Sequence, residues 1–272
     1  MITSDISHAA GQQGGLWQYR HFVLSSIRNE MISRFSRSKL GGLWMIINPL
    51  SQVLIYALIF SNVLASKLPD SDNKYSYAFY LLAGQLAWML FNEVITRSLN
   101  IFIEQGDLMK KMSFPRSTLP AIAIGSSLLN NFFLLIAVLG IFLVFGQSFS
   151  LLMLWLIPLT FVVIILAMGI GLILGIFNVF LRDIGHVVPI VLQVWFWFTP
   201  IVYPEKIIPE KYRHLMEINP MYTMVNAYHD ILVYQQAPQL ESIAIVLAGA
   251  LAMLLLSLFI FRRASAEMVD VL

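Results

Sequence analysis

The chain has 272 residues, of which 58% are hydrophobic and only 12% charged, and its mean hydropathy is +0.77. Soluble proteins carry about 25% charged residues, so this composition excludes a water-soluble surface and indicates an integral membrane protein. A net charge of +2 gives no indication of nucleic-acid binding, and the absence of cysteine excludes disulfides, cysteine-ligated zinc and thiol nucleophiles.

A basic segment from Trp17 to Lys39 precedes the first long apolar run, which begins near Gly42. It mixes apolar side chains with arginines such as Arg34 and Arg37, and this pattern is typical of an amphipathic helix in the membrane interface. A solvated leader is the alternative. Because the apolar run lies behind this polar start, we predict no cleaved signal peptide.

Six apolar runs are candidates for helices that cross a bilayer, which requires about 20 residues. They comprise residues 42–65, 77–98, 121–145, 151–178, 187–203 and 241–261, and the fifth is the shortest. The runs lack the alternation of barrel strands, so we predict an all-α fold. Its parts are a cytoplasmic N-terminal region (1–41), a six-helix transmembrane domain (42–261) and a cytoplasmic tail (262–272).

The orientation follows from the lysines and arginines between the runs. Most of the 17 fall on the side of the two termini, so the positive-inside rule predicts that both termini are cytoplasmic.

The second and third runs contain polar residues that need partners in a membrane. Glu93 and Arg97 are spaced for an i,i+4 ion pair, which we interpret as structural, with a proton or ion relay as the alternative. Asn130 and Asn131 are interpreted as hydrogen-bonding residues between helices rather than as a substrate site.

The connection between these runs, residues 104–120, forms a short polar segment bounded by Gly106 and Pro115. It is either a plain cytoplasmic hairpin or a docking loop for a cytoplasmic partner. In the second interpretation the apolar contacts are Leu108, Met109, Met112 and Phe114, with Lys110 and Lys111 at the rim.

The fifth run ends in a dense aromatic cluster, formed by Trp195, Phe196, Trp197, Phe198 and Tyr203. An interfacial aromatic belt explains it, and the alternative is that some rings line a conduit and stack on sugar rings. The candidate conduit residues are Trp195, Phe198 and Tyr203, with Tyr56 and Phe60 of the first run. The following segment, Pro204–Gln239, is long and partly apolar, so we predict that part of it re-enters the outer leaflet or caps the bundle.

Several kinds of chemistry are missing from the sequence. No Gly-x-x-x-x-Gly-Lys-Ser/Thr motif occurs, so any ATP and Mg²⁺ must be bound by another chain. The five histidines are scattered without metal-ligand spacing. We therefore predict no catalytic residue, no metal site and no cofactor in this chain.

Five short motifs, taken in order, resemble the permease subunits of type-2 ABC exporters, specifically those of lipid-linked polysaccharides such as O-antigen, capsule or teichoic acid. They are Arg-Ser-Lys-Leu-Gly-Gly-Leu-Trp-Met-Ile-Ile-Asn-Pro-Leu (37–50), Leu-Met-Lys-Lys-Met-Ser-Phe-Pro-Arg (108–116), Leu-Arg-Asp-Ile (181–184), Phe-Thr-Pro-Ile-Val-Tyr-Pro (198–204) and Ile-Asn-Pro (218–220). One departure is His229, at a position where the resemblance leads us to expect arginine.

The resemblance implies a homodimer in the bacterial cytoplasmic (inner) membrane, with two cytoplasmic ATP-binding subunits and a conduit along the dimer axis. The interfacial helix with Arg34 and Arg37, and the loop from Leu108 to Phe114, would contact those subunits. Other possibilities are an ABC exporter of a small hydrophobic substrate such as a drug or haem, and a proton-coupled carrier. A membrane-embedded transferase is disfavoured because Asp183 and Glu205 are predicted on opposite sides.

Overall fold

The computed structural model describes residues 19–36, 76–104, 106, 118–147 and 150–271, together with scattered residues between 43 and 59. These residues form helices and connections without strands. The α-helices named here are α1 (Arg20–Ser36), α2 (Ser76–Glu104), α3 (Thr118–Val144), α4 (Leu156–Phe180), α5 (Ile184–Trp197), α6 (Glu210–Glu217), α7 (Pro220–Leu232) and α8 (Leu240–Val271).

Four helical stretches in the described residues are long and apolar enough to cross a membrane. They are α2, α3, the stretch Leu151–Phe180 that contains α4, and the Leu240–Ser265 part of α8. These stretches match the second, third, fourth and sixth predicted runs. The first predicted run, 42–65, lies largely outside the described residues.

The fifth predicted run differs from the observed helix. Helix α5 has 14 residues and ends at Trp197, whereas the apolar run continues to Tyr203. A helix of this length rises about 21 Å, less than the roughly 30 Å of a hydrocarbon core. The predicted boundaries were wrong because hydropathy does not register the irregular turn at 198–203, where Pro200 cannot continue a regular helical ladder.

Helix α2 is the centre of the bundle and packs against α3, α4 and α7. Most of its side chains are buried, including Phe79, Phe91 and Phe102. We call its two ends the Tyr77 end and the Arg97 end. Helix α1 lies against α3, where Ile27 contacts Gly125.

Helix α4 approaches its neighbours closely because glycines replace side chains on both of its contact faces. A Cβ added at Gly171 would lie 2.7 Å from Ser98 Cβ of α2, and one added at Gly169 would lie 2.8 Å from the Leu254 backbone nitrogen of α8. Gly175 faces the backbone of Ser98 in the same way. Small residues at such contacts are typical of helices that associate in membranes.

The connection between α5 and α8 is folded onto the bundle. Helix α7 begins with Asn219 as N-cap and Pro220 in its first turn, and it packs against α2 and α4. Its buried side chains include Met224, Tyr228 and Leu232. This connection therefore provides part of the core at the Tyr77 end.

Candidate functional site

At the Arg97 end, the predicted ion pair is formed and belongs to a larger network. Arg97 Nε donates to Glu93 Oε1 at 2.9 Å, across one turn of α2. Arg97 Nη1 donates to Glu30 Oε1 of α1 at 2.6 Å. One guanidinium thus bridges two carboxylates on different helices.

Glu30 was not among the predicted site residues, although one feature of the sequence points to it. Glu30 is the only acidic residue in the basic segment Trp17–Lys39. Its second oxygen, Oε2, accepts a hydrogen bond from Ser126 Oγ of α3 at 2.6 Å. The Glu30 carboxylate therefore connects α1 with both α2 and α3.

The two asparagines of α3 make the predicted hydrogen bonds between helices. Asn130 Nδ2 donates to Glu93 Oε2 at 2.6 Å, and Asn131 Nδ2 donates to the Leu86 carbonyl oxygen at 3.1 Å. Both partners lie in α2, so α3 is connected to α2 by polar contacts as well as by apolar packing.

At the Tyr77 end, tyrosine hydroxyls bind the irregular turn that follows α5. Tyr77 donates to the Val202 carbonyl oxygen at 2.8 Å. The Tyr80 hydroxyl lies 2.9 Å from the carbonyl oxygen of Pro200 and 3.1 Å from that of Tyr203. These contacts satisfy carbonyl groups that no helix satisfies, as buried backbone requires.

Asn219 joins this turn to α7. Its Oδ1 accepts from Trp195 Nε1 at 2.8 Å and caps α7 by accepting from the Met221 amide at 3.0 Å. Its Nδ2 donates to Thr199 Oγ1 at 3.0 Å and to the Phe198 carbonyl oxygen at 3.3 Å. The Phe-Thr-Pro and Ile-Asn-Pro motifs, 20 residues apart along the chain, are therefore one structural unit.

The aromatic cluster divides between two environments. Trp195 is half-buried, with its ring centroid 5.1 Å from that of Phe91 in α2. Phe198, by contrast, is 60% exposed. Tyr203 donates its hydroxyl to the Trp197 carbonyl oxygen at 2.8 Å. Assignment of these residues to a conduit stays a prediction.

His229, the departure noted in the sequence, is buried in α7 at 2% exposure. Its ring stacks on Tyr80 with centroids 3.7 Å apart, and its Nε2 lies 3.0 Å from the Tyr80 carbonyl oxygen. A Cβ at Gly84 would lie 2.9 Å from that nitrogen, so only glycine leaves room for the ring. Burial lowers the pKa of His229 to about 3, which keeps the ring neutral.

Several predicted positions lie beyond the part of the chain that the structure describes. These are Arg37, Tyr56, Phe60 and the docking-loop residues Leu108, Met109, Lys110, Lys111, Met112 and Phe114. Arg34 belongs to helix α1. Among the described residues, no cluster of His, Asp or Glu side chains is arranged to hold a metal ion.

The long apolar helices and their buried polar contacts define a multi-pass helical membrane protein. Residues 22–233 match the family described as ABC-2 type transporter, and the chain belongs to this family.

Its relatives include two proteins named O-antigen export system permease protein RfbA. The one from Myxococcus xanthus is 29% identical over 94% of this chain and 96% of its own length. One from Klebsiella pneumoniae is 31% identical over 88% of this chain and 90% of its own length. The polysialic acid transport protein KpsM of Escherichia coli is 25% identical over 88% of this chain and 92% of its own length.

Proposed function

We propose that this chain is the membrane permease of an ABC exporter that moves a lipid-linked, O-antigen-like polysaccharide across the bacterial cytoplasmic membrane. The observation that best supports this function is the near full-length similarity to permeases named for O-antigen export. ATP and Mg²⁺ are bound by a separate cytoplasmic subunit, because this chain has no phosphate-binding motif of its own. The chain is then a conduit rather than a catalyst.

The proposed topology has six spans, with both termini in the cytoplasm. Helix α1 lies in the cytoplasmic interface, and the connection containing α7 re-enters the bundle from the outer side. This arrangement is supported by the basic residues on the side of the termini and by the burial of α7 against α2. The Arg97 end is then cytoplasmic and the Tyr77 end is external.

Two copies of the chain enclose the conduit in this proposal. Helix α5 carries an exposed apolar stripe at helical spacing, which its C-cap residue Phe198 continues; the helical members are Val187, Ile190, Val191 and Val194. A second copy facing this stripe would place Phe198 near the axis of the dimer. Trp195, Tyr203, Tyr56 and Phe60 are the other proposed lining residues.

The ATP-binding subunits act on α1 and on the loop after α2 in this proposal. The loop contacts are Leu108, Met109, Lys110, Lys111, Met112 and Phe114, with Arg34 and Arg37 on the α1 side. The Glu30–Arg97 contact supports this route, because it ties α1 directly to the central helix. A movement of α1 would then be transmitted to α2 and α3 together.

The function is tested by deleting the gene and measuring cell-surface and intracellular glycan. We expect surface glycan to be lost, lipid-linked polymer to accumulate inside, and both to be restored by the intact gene. The purified chain should copurify with an ATP-binding protein and show no ATPase activity alone. Unchanged surface glycan in the deletion strain contradicts the proposal.

The docking loop is tested with Met109→Asp, which places a charge in a proposed apolar contact. Burial of such a side chain contributes about 1.5 to 3 kcal/mol, so copurification of the ATP-binding protein should be lost while membrane insertion remains. Ser113→Asp is the matched control, because it adds the same charge to the same loop without removing an apolar side chain. Equal copurification by both variants contradicts the docking assignment.

A further inference from the structure

A cavity of about 610 Å³ opens at the Tyr77 end, between α7, the start of α8 and the residues around Glu205. This volume lies within the roughly 300–1,000 Å³ of sites that bind small molecules. The cavity is separate from the exposed stripe of α5, since Val187, Ile190 and Phe198 are not part of its wall.

The charges around the cavity are unequal. Among the described residues that line it, the carboxylates of Glu205, Glu217 and Asp230 face one ammonium group, that of Lys206. Burial, with Glu205 nearby, raises the pKa of Asp230 to about 6, so this group is still mostly a carboxylate at neutral pH. The walls therefore favour hydrogen-bond donors and repel anions.

His229 provides an independent observation. Its Nε2 faces the Tyr80 carbonyl oxygen, which can only accept, so Nε2 carries the proton of the neutral ring. Nδ1 is then an acceptor, and it is buried without a hydrogen-bond partner among the described residues. His229 is one of the residues that line the cavity, so its wall includes a buried acceptor without a protein partner among the described residues.

The wall also includes Tyr80, whose ring is stacked on His229, together with Tyr222 and the half-buried Tyr234. A sugar ring presents hydroxyl donors at its edge and apolar C–H groups on its faces, so it suits carboxylate acceptors combined with aromatic surfaces. We propose that this cavity is a binding site for an uncharged or amino-bearing sugar unit, and that it discriminates against acidic sugars. The inference rests on the proposed function and extends it to an external site for the glycan.

The test uses the full-length chain purified in lipid nanodiscs. The probes are maltotriose, the glucosamine trimer and the galacturonic acid trimer, and binding is measured by saturation-transfer NMR with titration. We expect the first two trimers to bind and the acidic trimer not to bind. Asp230→Asn should weaken binding of the glucosamine trimer about tenfold, because a charge-assisted hydrogen bond becomes a neutral one.

A variant that gains binding of the acidic trimer tests the proposal without the risk that a misfolded protein gives the expected result. Glu217 is exposed at the cavity wall, so Glu217→Lys should fold and should allow the galacturonic acid trimer to bind. Glu210→Lys is the matched control, since Glu210 is exposed on the same helix α6 but does not line the cavity. It should leave the acidic trimer unbound.

The inference is overturned if the folded wild-type chain binds none of the trimers, or binds the acidic trimer as well as the others. It is also overturned if Glu217→Lys gains no more acidic binding than Glu210→Lys. Each of these three results can coexist with glycan export that depends on the gene, in which case only the cavity assignment fails. Trimer binding together with unchanged surface glycan in the deletion strain would instead contradict the proposed function alone.

Discussion

At both ends of α2, buried polar groups need hydrogen-bond partners, and the two ends meet this need with different chemistry. At the Arg97 end, buried polar groups are satisfied by charges, with Arg97 placed between Glu30 and Glu93. At the Tyr77 end, the tyrosines of α2 use neutral groups instead: Tyr77 and Tyr80 donate to backbone carbonyl oxygens. Both arrangements connect segments that are far apart in the sequence.

Because the two ends of α2 use different contacts, we expect their stability to respond differently to mutation. Removing one member of a partly buried charge network leaves the remaining charges less well compensated, which costs more than removing one neutral hydrogen bond. The Arg97 end should therefore depend on a single residue, whereas the Tyr77 end should lose stability in small steps.

The largest effect is expected for Arg97→Leu. This change removes the guanidinium that lies between the carboxylates of Glu30 and Glu93, and it should lower the free energy of unfolding by roughly 3 kcal/mol. The measurement is unfolding by SDS in mixed micelles. Arg97→Leu combined with Glu93→Gln should recover part of the loss, and absence of any recovery would show that charge is not the cause.

A smaller effect is expected from overpacking at Gly84, the contact that holds His229 at the Tyr77 end. Gly84→Ala should cost about 2 kcal/mol, because the new methyl group must displace the His229 ring or the Ile201 backbone. Gly140→Ala is the control, as a Cβ at Gly140 meets nothing within 4 Å. Equal thermal stability of both variants would contradict the close approach of His229 to Gly84.

Asn219→Ala comes next in the series. It removes the N-cap of α7 and the acceptor of the Trp195 indole, and we expect a loss of about 1.5 kcal/mol. Trp195 fluorescence should change as its hydrogen bond is lost. Asn219→Asp keeps the Oδ1 acceptor, so it should retain more of the native stability than alanine does.

The smallest effect is expected for Tyr80→Phe, which removes one hydroxyl that contacts two carbonyl oxygens. The loss should be about 1 kcal/mol in thermal or SDS unfolding. Tyr212→Phe, at an exposed ring in α6, should be neutral. If Tyr80→Phe lost as much stability as Arg97→Leu, the proposed difference between the two ends of α2 would be contradicted.

Features that depend on local spacing could be predicted from the sequence. Glu93 and Arg97 are one helical turn apart, so their pairing follows from periodicity, and the hydrogen bonds of Asn130 and Asn131 follow from the cost of polar groups in an apolar helix. The long spans followed from hydropathy in the same way.

Features that depend on distant partners could not be predicted. Glu30 lies 67 residues from Arg97, and His229 lies 149 residues from Tyr80, so no periodic pattern connects them. The end of α5 was also missed, because the turn at 198–203 is apolar in composition and its backbone partners belong to α2. The cavity at the Tyr77 end arises from the same long-range packing.

The glycines of α4 have a mechanical consequence. At Gly171 and Gly169 the backbone of α4 lies directly against α2 and α8, without a layer of side chains that could slide. Sliding motions require side chains that repack between helices, so these three helices should move as one rigid body during transport. Spin labels placed on α4 and α8 should keep their distance through the transport cycle.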